Sequence, residues 1–186
     1  MANFNTKYFC YSPIKDFSND EMIRFVVSKE KFLIPDLYRK FTGEEFFVKS
    51  SKKELEDFSN RFCKSYMKFI DNHNIVNVVE NILLKHIIGI IGLARKSRKV
   101  IIGFNEIKLQ LYKNKIHFLL QSKNQTKRVE SRIKLPIFQK RKIDCLTKEE
   151  LGIAFRKNSI ANIGFLESSF INPLISDTYR LQSLRG

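Results

Sequence analysis

At 186 residues and 43% hydrophobic side chains, the chain is long enough for one large or two small domains with a buried core. Lys and Arg number 34 against 19 Asp and Glu, a net charge of +15 that favours polyanionic partners: RNA, DNA or acidic membranes. The three cysteines, Cys10, Cys63 and Cys145, are scattered without a Cys-x-x-Cys spacing, which argues against a zinc site and for free thiols in a reducing compartment.

In chain order, residues 4–12 mix aromatic and polar side chains before Pro13 and predict a turn or short strand. Asp20 to Val27 runs from an acidic start into a β-rich segment, and Phe32 to Pro35 is its returning strand across a Lys29-Glu30-Lys31 turn. Gly43 marks a second turn, and Phe46-Phe47-Val48 a third strand. Ser51 to Tyr66 predicts an amphipathic helix with Leu55, Phe58, Phe62 and Tyr66 on one face. Ser51 with Glu54 is a capping-box pattern at its start. These elements predict a small α+β unit over residues 1–70.

The polar cluster Asp71-Asn72-His73-Asn74 predicts a linker over residues 71–77. A helix is expected from Ile75 to about Lys96, burying Val79, Ile82, Leu83, Ile87, Ile90 and Ile91, with Gly89 and Gly92 allowing close packing on a sheet. Glu80, Lys85 and His86 interrupt this most apolar segment, and its longest uncharged run, Ile87 to Ala94, is too short to span a bilayer. The N-terminal residues lack the apolar core of a secretory signal, so a cytoplasmic protein is expected.

The stretch from Leu93 to Gln121 carries the richest pattern. A basic cluster, Arg95, Lys96, Arg98 and Lys99, precedes the β-branched run Val100-Ile101-Ile102. Gly103 permits a tight turn, and Phe104, Ile107 and Leu111, with Leu109 as a further candidate, predict the inner face of a helix. Asn105 and Glu106 fall in its first turn, and spacing alone reads them as helix-capping residues. Ile116 to Leu120 is a second strand. Ser122 to Arg132 reads as a basic helix or loop holding Lys123, Lys127, Arg128 and Arg132. Leu135 to Phe138 starts another strand, and Gln139 to Lys142 is a basic run. Thr147 with Glu150 is a second capping box, opening a helix through Phe155. Ser159 to Leu166 is a last strand, and residues 167–186, with Pro173, read as a tail. The alternation of helix and strand predicts a three-layer α/β/α sandwich over residues 78–166.

Charge is concentrated in this second part. Residues 1–70 carry a net +3 and residues 71–186 a net +12. Between Arg95 and Lys142 there are 15 basic residues against Glu106 and Glu130, an excess that solubility alone does not require.

Several segments of the second part resemble, in order, the kink-turn-binding ribosomal protein family (the L-seven-Ae family). Ile91-Gly92-Leu93-Ala94-Arg95-Lys96 is similar to the "GLARRAGK" segment of its bacterial, YlxQ-like branch. Gly103-x-Asn105-Glu106 resembles the family's RNA-contact signature. Lys113 to Leu120, Pro136-Ile137, and Lys148-Glu149-Glu150-Leu151-Gly152-x-Ala154 follow the later strands and the "ELGxA" helix. The resemblance covers roughly Val78 to Leu166. It implies the kink-turn-binding type of α/β/α sandwich and an RNA site. It implies RNA contacts at Gly103, Asn105 and Glu106; the charge pattern adds Arg95, Lys96, Arg98, Lys99, Lys108, Lys127 and Arg128 as candidate RNA-binding residues. One departure is Leu109, where relatives often carry a lysine; Lys108 stands one position earlier.

The first part resembles the YlxR family over about Lys7 to Phe69, on Cys10, Met22 to Val27, Pro35-Asp36-Leu37, and Gly43 to Val48. The family's "GRGAYV" loop here reads Gly43-Glu44-Glu45-Phe46-Phe47-Val48, with two acids in place of the arginine and second glycine. A weakened or lost RNA role is expected for this domain, because carboxylates repel phosphate. Arg24 is either a nucleic-acid contact or a strand-edge arginine paired with a nearby acid.

Two functional readings follow. In one, the protein binds kinked or bulged RNA in ribosome or RNA-particle assembly or RNA processing, and Asn105 and Glu106 read exposed base edges. The partners are then a structured RNA, ribosomal or other, and ribosomal or ribonucleoprotein components, with no membrane. In the other, it is a non-catalytic adaptor of a ribonucleoprotein assembly whose main contacts are to protein. The sequence contains no P-loop, Rossmann glycines, metal set or catalytic triad, so neither an enzyme nor a cofactor is expected. His73, His86 and His117 are isolated and read as surface or core histidines.

Overall fold

The computed structural model describes residues 7–9, 21–65, 68–69, 75–123 and 142–186. The chain is mixed α and β and forms two compact units. The first comprises Met1–Leu83 with Tyr179–Gly186, and the second Leu84–Thr178.

The first unit holds a five-stranded sheet in the order β1-β4-β2-β3-β5. Its strands are β1 (Lys7–Phe9), β2 (Met22–Val27), β3 (Phe32–Pro35), β4 (Glu44–Lys49) and β5 (Lys68–Phe69). β2 pairs antiparallel with both β3 and β4, while β1–β4 and β3–β5 are parallel. The β2–β3 hairpin forms where two apolar runs flank a charged turn. Lys31 adopts φ 63°, and the Ser28 hydroxyl accepts from the Phe32 N–H at 3.1 Å, which offsets the missing Gly or Asn. Helix α1 (Lys52–Ser65) starts where the Ser51 hydroxyl accepts from the Glu54 N–H at 3.3 Å. It buries Leu55 and Phe58; the Phe58 ring lies 5.2 Å from that of Phe25 and 5.9 Å from that of Phe46. The side chains of Phe62 and Tyr66 lie outside the described residues.

Helix α2 (Ile75–Lys96) spans the expected segment, but the change from one unit to the other falls inside it, later than residues 71–77, of which 71–74 lie outside the described residues. Val79, Leu83, Ile87, Ile90, Ile91 and Ala94 are buried and Ile82 is half-buried. Gly89 and Gly92 depart from expectation. A Cβ built on either meets no atom of the described residues within 4 Å, so among these residues neither glycine brings the helix close to a sheet. Among the described residues α2 is the one helix long and apolar enough to cross a membrane, although its inner face is taken up by the fold.

The second unit holds a four-stranded sheet in the order β6-β9-β7-β8. The strands are β6 (Val100–Ile102), β7 (Phe118–Ser122), β8 (Lys142–Leu146) and β9 (Asn162–Phe165). β9 is antiparallel to β6 and β7, and β7 is parallel to β8. All five residues of β7 are buried. Successive strand residues point to opposite faces, so this sheet is covered on both sides. On one face Leu119 joins Ile107, Leu111 and Ile116 in a cluster flanked by Ile101, Phe104 and Leu166. Ile107 and Leu111 come from α3 (Phe104–Tyr112); Leu109, a candidate for its inner face, is 46% exposed.

Helix α4 (Lys148–Ile153) carries the full capping box. Glu150 N–H donates to the Thr147 hydroxyl at 3.2 Å, and the Thr147 N–H donates to Glu150 Oε2 at 2.8 Å. Residues 171–185, expected as part of a tail, form helix α5 (Ile171–Arg185). Pro173 lies in its first turn, where a missing N–H costs no intrahelical bond. Leu174, Leu181 and Leu184 are buried. Arg185 Nε donates to Glu80 Oε1 at 2.9 Å in the first unit, and His86 Nδ1 lies 2.6 Å from Asp177 Oδ2 in the second.

Candidate nucleic-acid interface

The basic cluster sits where α2 stops. Arg95, Lys96, Arg98 and Lys99 are all exposed. The helix ends in a Schellman motif: Lys99 N–H donates to the Ala94 carbonyl at 2.8 Å and Arg98 N–H to the Arg95 carbonyl at 3.0 Å. The left-handed position of that motif is held by Arg98, at φ 54°, where glycine is usual. Four cations thus gather at a helix C-terminus, whose partial negative charge helps hold them.

Gly103 is the N-cap of α3, with φ 98° and ψ 133°, and makes no side-chain cap bond. A Cβ there would meet no atom of the described residues within 4 Å, so the constraint is the backbone angle. Asn105 and Glu106 are exposed, as is Lys108. Asn105 and Glu106 lie beyond the N-cap position, so they do not supply the cap that spacing alone suggested. Glu106 Oε1 accepts instead from Gln110 Nε2 one turn on, at 3.3 Å. The first-turn N–H groups of α3 therefore carry positive partial charge beside an exposed carboxamide and carboxylate.

A second loop, missed in the sequence, completes this surface. After α4 the chain turns through Arg156, at φ 56°, and Lys157 N–H donates to the Gly152 carbonyl at 3.1 Å. Gly152 makes this return possible: a Cβ on it would lie 2.3 Å from the Lys157 carbonyl oxygen. Lys157, Ser159, Ile160, Ala161 and Asn162 then line one wall of a cavity of about 340 Å³, and Ile102, Gly103 and Phe104 line the other. Arg95 binds the end of α4 to the end of α2. Its Nη1 donates to the Ala154 carbonyl at 3.1 Å, and its guanidinium lies 5.4 Å from the Phe155 ring centroid. Arg156 and Lys157, both exposed, thereby join the basic surface. The signal for them was the cationic pair directly after the "ELGxA"-like helix.

Lys127 and Arg128, together with the expected strand start at Leu135 to Phe138 and the basic run up to Arg141, lie outside the described residues. Among the described residues no group of three or more His, Cys, Asp or Glu could hold a metal. Cys145 is buried.

Arg24 lies in the first unit on β2, the middle strand of its sheet and not an edge. It is 7% exposed. Its guanidinium forms a buried ion pair with Asp36, and Nη2 donates to Glu45 Oε1 at 2.8 Å and to the Phe41 carbonyl at 3.2 Å. The hydrogen bond from Arg24 holds the Glu45 carboxyl below its ordinary range, and the Arg24 guanidinium is pushed up by the same bond. Asp36 also accepts from the N–H groups of Lys40 at 2.8 Å and Phe41 at 3.0 Å. Glu45, the second of the two acids in the Gly43–Val48 loop and itself half-buried, thus serves the fold by joining the buried Arg24–Asp36 pair.

Comparison with protein-family models, curated proteins and solved structures gives no match for this chain.

Proposed function

We propose that the protein binds kinked or bulged RNA through its second unit, as a domain of the kink-turn-binding, YlxQ-like type, with a YlxR-like first unit whose acidic loop serves the fold. One observation carries this reading: Asn105 and Glu106 stand exposed at an N-terminus capped only by glycine, and that turn shares a cavity with Lys157. Helix N–H groups and lysine suit phosphate. A carboxylate in such a place repels phosphate and makes sense as an acceptor for a base amino or imino group, while Asn105 offers both a donor and an acceptor. Regular A-form RNA hides its base edges in a deep groove; a kink presents them. The cavity is large enough to receive part of a splayed nucleotide. Assembly of ribosomes or other RNA particles, or RNA processing, in the cytoplasm is the setting that fits.

Glu106→Ala tests the reading. If Glu106 reads a base, affinity for a kinked RNA falls by roughly 1–3 kcal/mol, by analogy with base-edge readout in DNA, and affinity for plain duplex barely changes. Both affinities are measured at one salt concentration. Equal shifts on the two RNAs, or tighter binding to both, would leave a general basic binder or an adaptor whose contacts are to protein.

A further inference from the structure

Beyond Asn105, the outward face of α3 holds features that the base-reading turn does not use. At 100° per residue, Asn105, Lys108, Leu109 and Tyr112 fall within an arc of about 100°, opposite the buried Ile107 and Leu111. Tyr112 is 76% exposed and Leu109 is 46% exposed. The Lys108 ammonium lies 5.9 Å from the Tyr112 ring centroid. Lys113 and Lys115, just past the helix, are exposed as well. A single exposed aromatic needs no explanation. An aromatic ring with an ammonium group beside it, on the same face as a proposed base-reading residue, has the composition of a nucleic-acid stacking site: a π surface for a base and a cation for its phosphate.

We propose that Tyr112 is a stacking platform for an unpaired nucleotide flanking the RNA element, with Lys108 contacting that nucleotide's phosphate. The inference rests on the RNA-binding reading above and adds to it the class of target: a kinked element continued by a single strand. The seven helical steps from Asn105 to Tyr112 rise about 10 Å, roughly three stacked nucleotide steps of ~3.4 Å. The platform therefore serves a strand about three nucleotides past the base read at Asn105. Charge selects this occupant over an apolar peptide, because Lys108 lies beside the ring, the exposed Lys113 and Lys115 follow it directly in the chain, and Glu106 is the single acid on α3.

The test uses the full chain and one kinked RNA in three forms: blunt, or with a three-nucleotide 5′ or 3′ extension carrying 2-aminopurine. The expected result is that one extension tightens binding by roughly 5- to 150-fold, the size of one base–aromatic stack. Tyr112→Ala removes that gain and leaves the blunt RNA bound as before, while Tyr112→Phe keeps it. Fluorescence of the 2-aminopurine falls on binding to the wild type and to Tyr112→Phe, and stays level with Tyr112→Ala. No gain from either extension, or a Tyr112→Ala loss equal on blunt and extended RNA, overturns the platform. If the wild type prefers kinked RNA to duplex yet shows no extension gain, the platform alone fails; if it shows no preference for the kink, the base-reading proposal fails and the platform falls with it. Circular dichroism of the variants separates lost binding from lost fold.

Discussion

Arg95 donates to the Ala154 carbonyl across 59 positions of sequence and stacks its guanidinium against Phe155. One side chain thus fastens two helix ends, and the cations that follow each of them, Arg98 with Lys99 and Arg156 with Lys157, come to share a surface. Arg95→Lys keeps the charge but not the planar fork. Unfolding experiments should show a loss of about 0.5–1 kcal/mol, the size of an exposed cation–π contact, while the salt dependence of RNA binding holds. Unchanged stability would mean that the Ala154 bond and the Phe155 stack do not hold the two helix ends together.

Lys96, Arg98 and Lys99 are exposed at the end of α2, and the proposed function assigns them phosphate contacts. Replacing all three by alanine should flatten the log–log dependence of affinity on salt by about 0.7–0.9 unit for each phosphate no longer neutralised. Titrations from low to physiological salt measure it. An unchanged slope would remove the cluster from the interface.

Arg98 holds a left-handed conformation at φ 54°. Arg98→Gly and Arg98→Ala delete the same charge, but only glycine adopts that angle without strain. The two variants should bind RNA equally, and the glycine variant should be more stable by about 1 kcal/mol in denaturant titrations. Equal stabilities would show that the Schellman ending rearranges when Arg98 is lost.

The Asp36–Arg24–Glu45 triad of the first unit, buried at Arg24 and Asp36, predicts both a mutational and a pH effect. Arg24→Met strands Asp36 and Glu45 without their cation and should cost about 3–5 kcal/mol, with RNA affinity of the folded protein unchanged. Glu45 has a folded pKa below its unfolded one. Its contribution is therefore complete above the unfolded value and fades as pH falls through the folded value. Unfolding free energy measured from neutral pH down into the acid range should decline in the wild type, and that component should be missing in Glu45→Gln.

Gly152→Ala places a methyl group 2.3 Å from the Lys157 carbonyl oxygen, an approach that the backbone must move to relieve. A loss of about 1–3 kcal/mol is expected from overpacking. The loop from Lys157 to Asn162 would shift with it, so RNA affinity should drop even in conditions where the variant is fully folded. Unaltered binding would detach that loop from the site.

Local patterns were legible where a few neighbouring residues decide the outcome. The Thr147–Glu150 capping box, the β2–β3 hairpin and the glycine entry to α3 each depend on residues within about five positions. Contacts between distant segments were not. Arg24 finds Asp36 and Glu45 at separations of 12 and 21, and its strand proves to be central only once β4 has paired on its far side. Gly89 and Gly92 suggested close packing because spacing shows which residues share a face, but not whether another element covers it. The helix of residues 171–185 was hidden because Pro173 reads as a breaker unless the helix start is known. Lys157 escaped notice because its place in the cavity depends on Gly152, five positions earlier, which lets the chain fold back.

Gln121 and Asn162 stand opposite each other across β7 and β9, and Gln121 Nε2 donates to Asn162 Oδ1 at 2.9 Å in a buried setting. Apolar neighbours on both strands tolerate sliding; an amide pair in a dry interior does not, since a shift by one residue would leave both groups without partners and turn each to the opposite face. Asn162 also lines the cavity beside Gly103. The lock that sets the alignment of the two strands therefore also sets the depth and outline of the pocket, so a substitution at Gln121, wholly out of reach of any ligand, should reshape what the surface recognises.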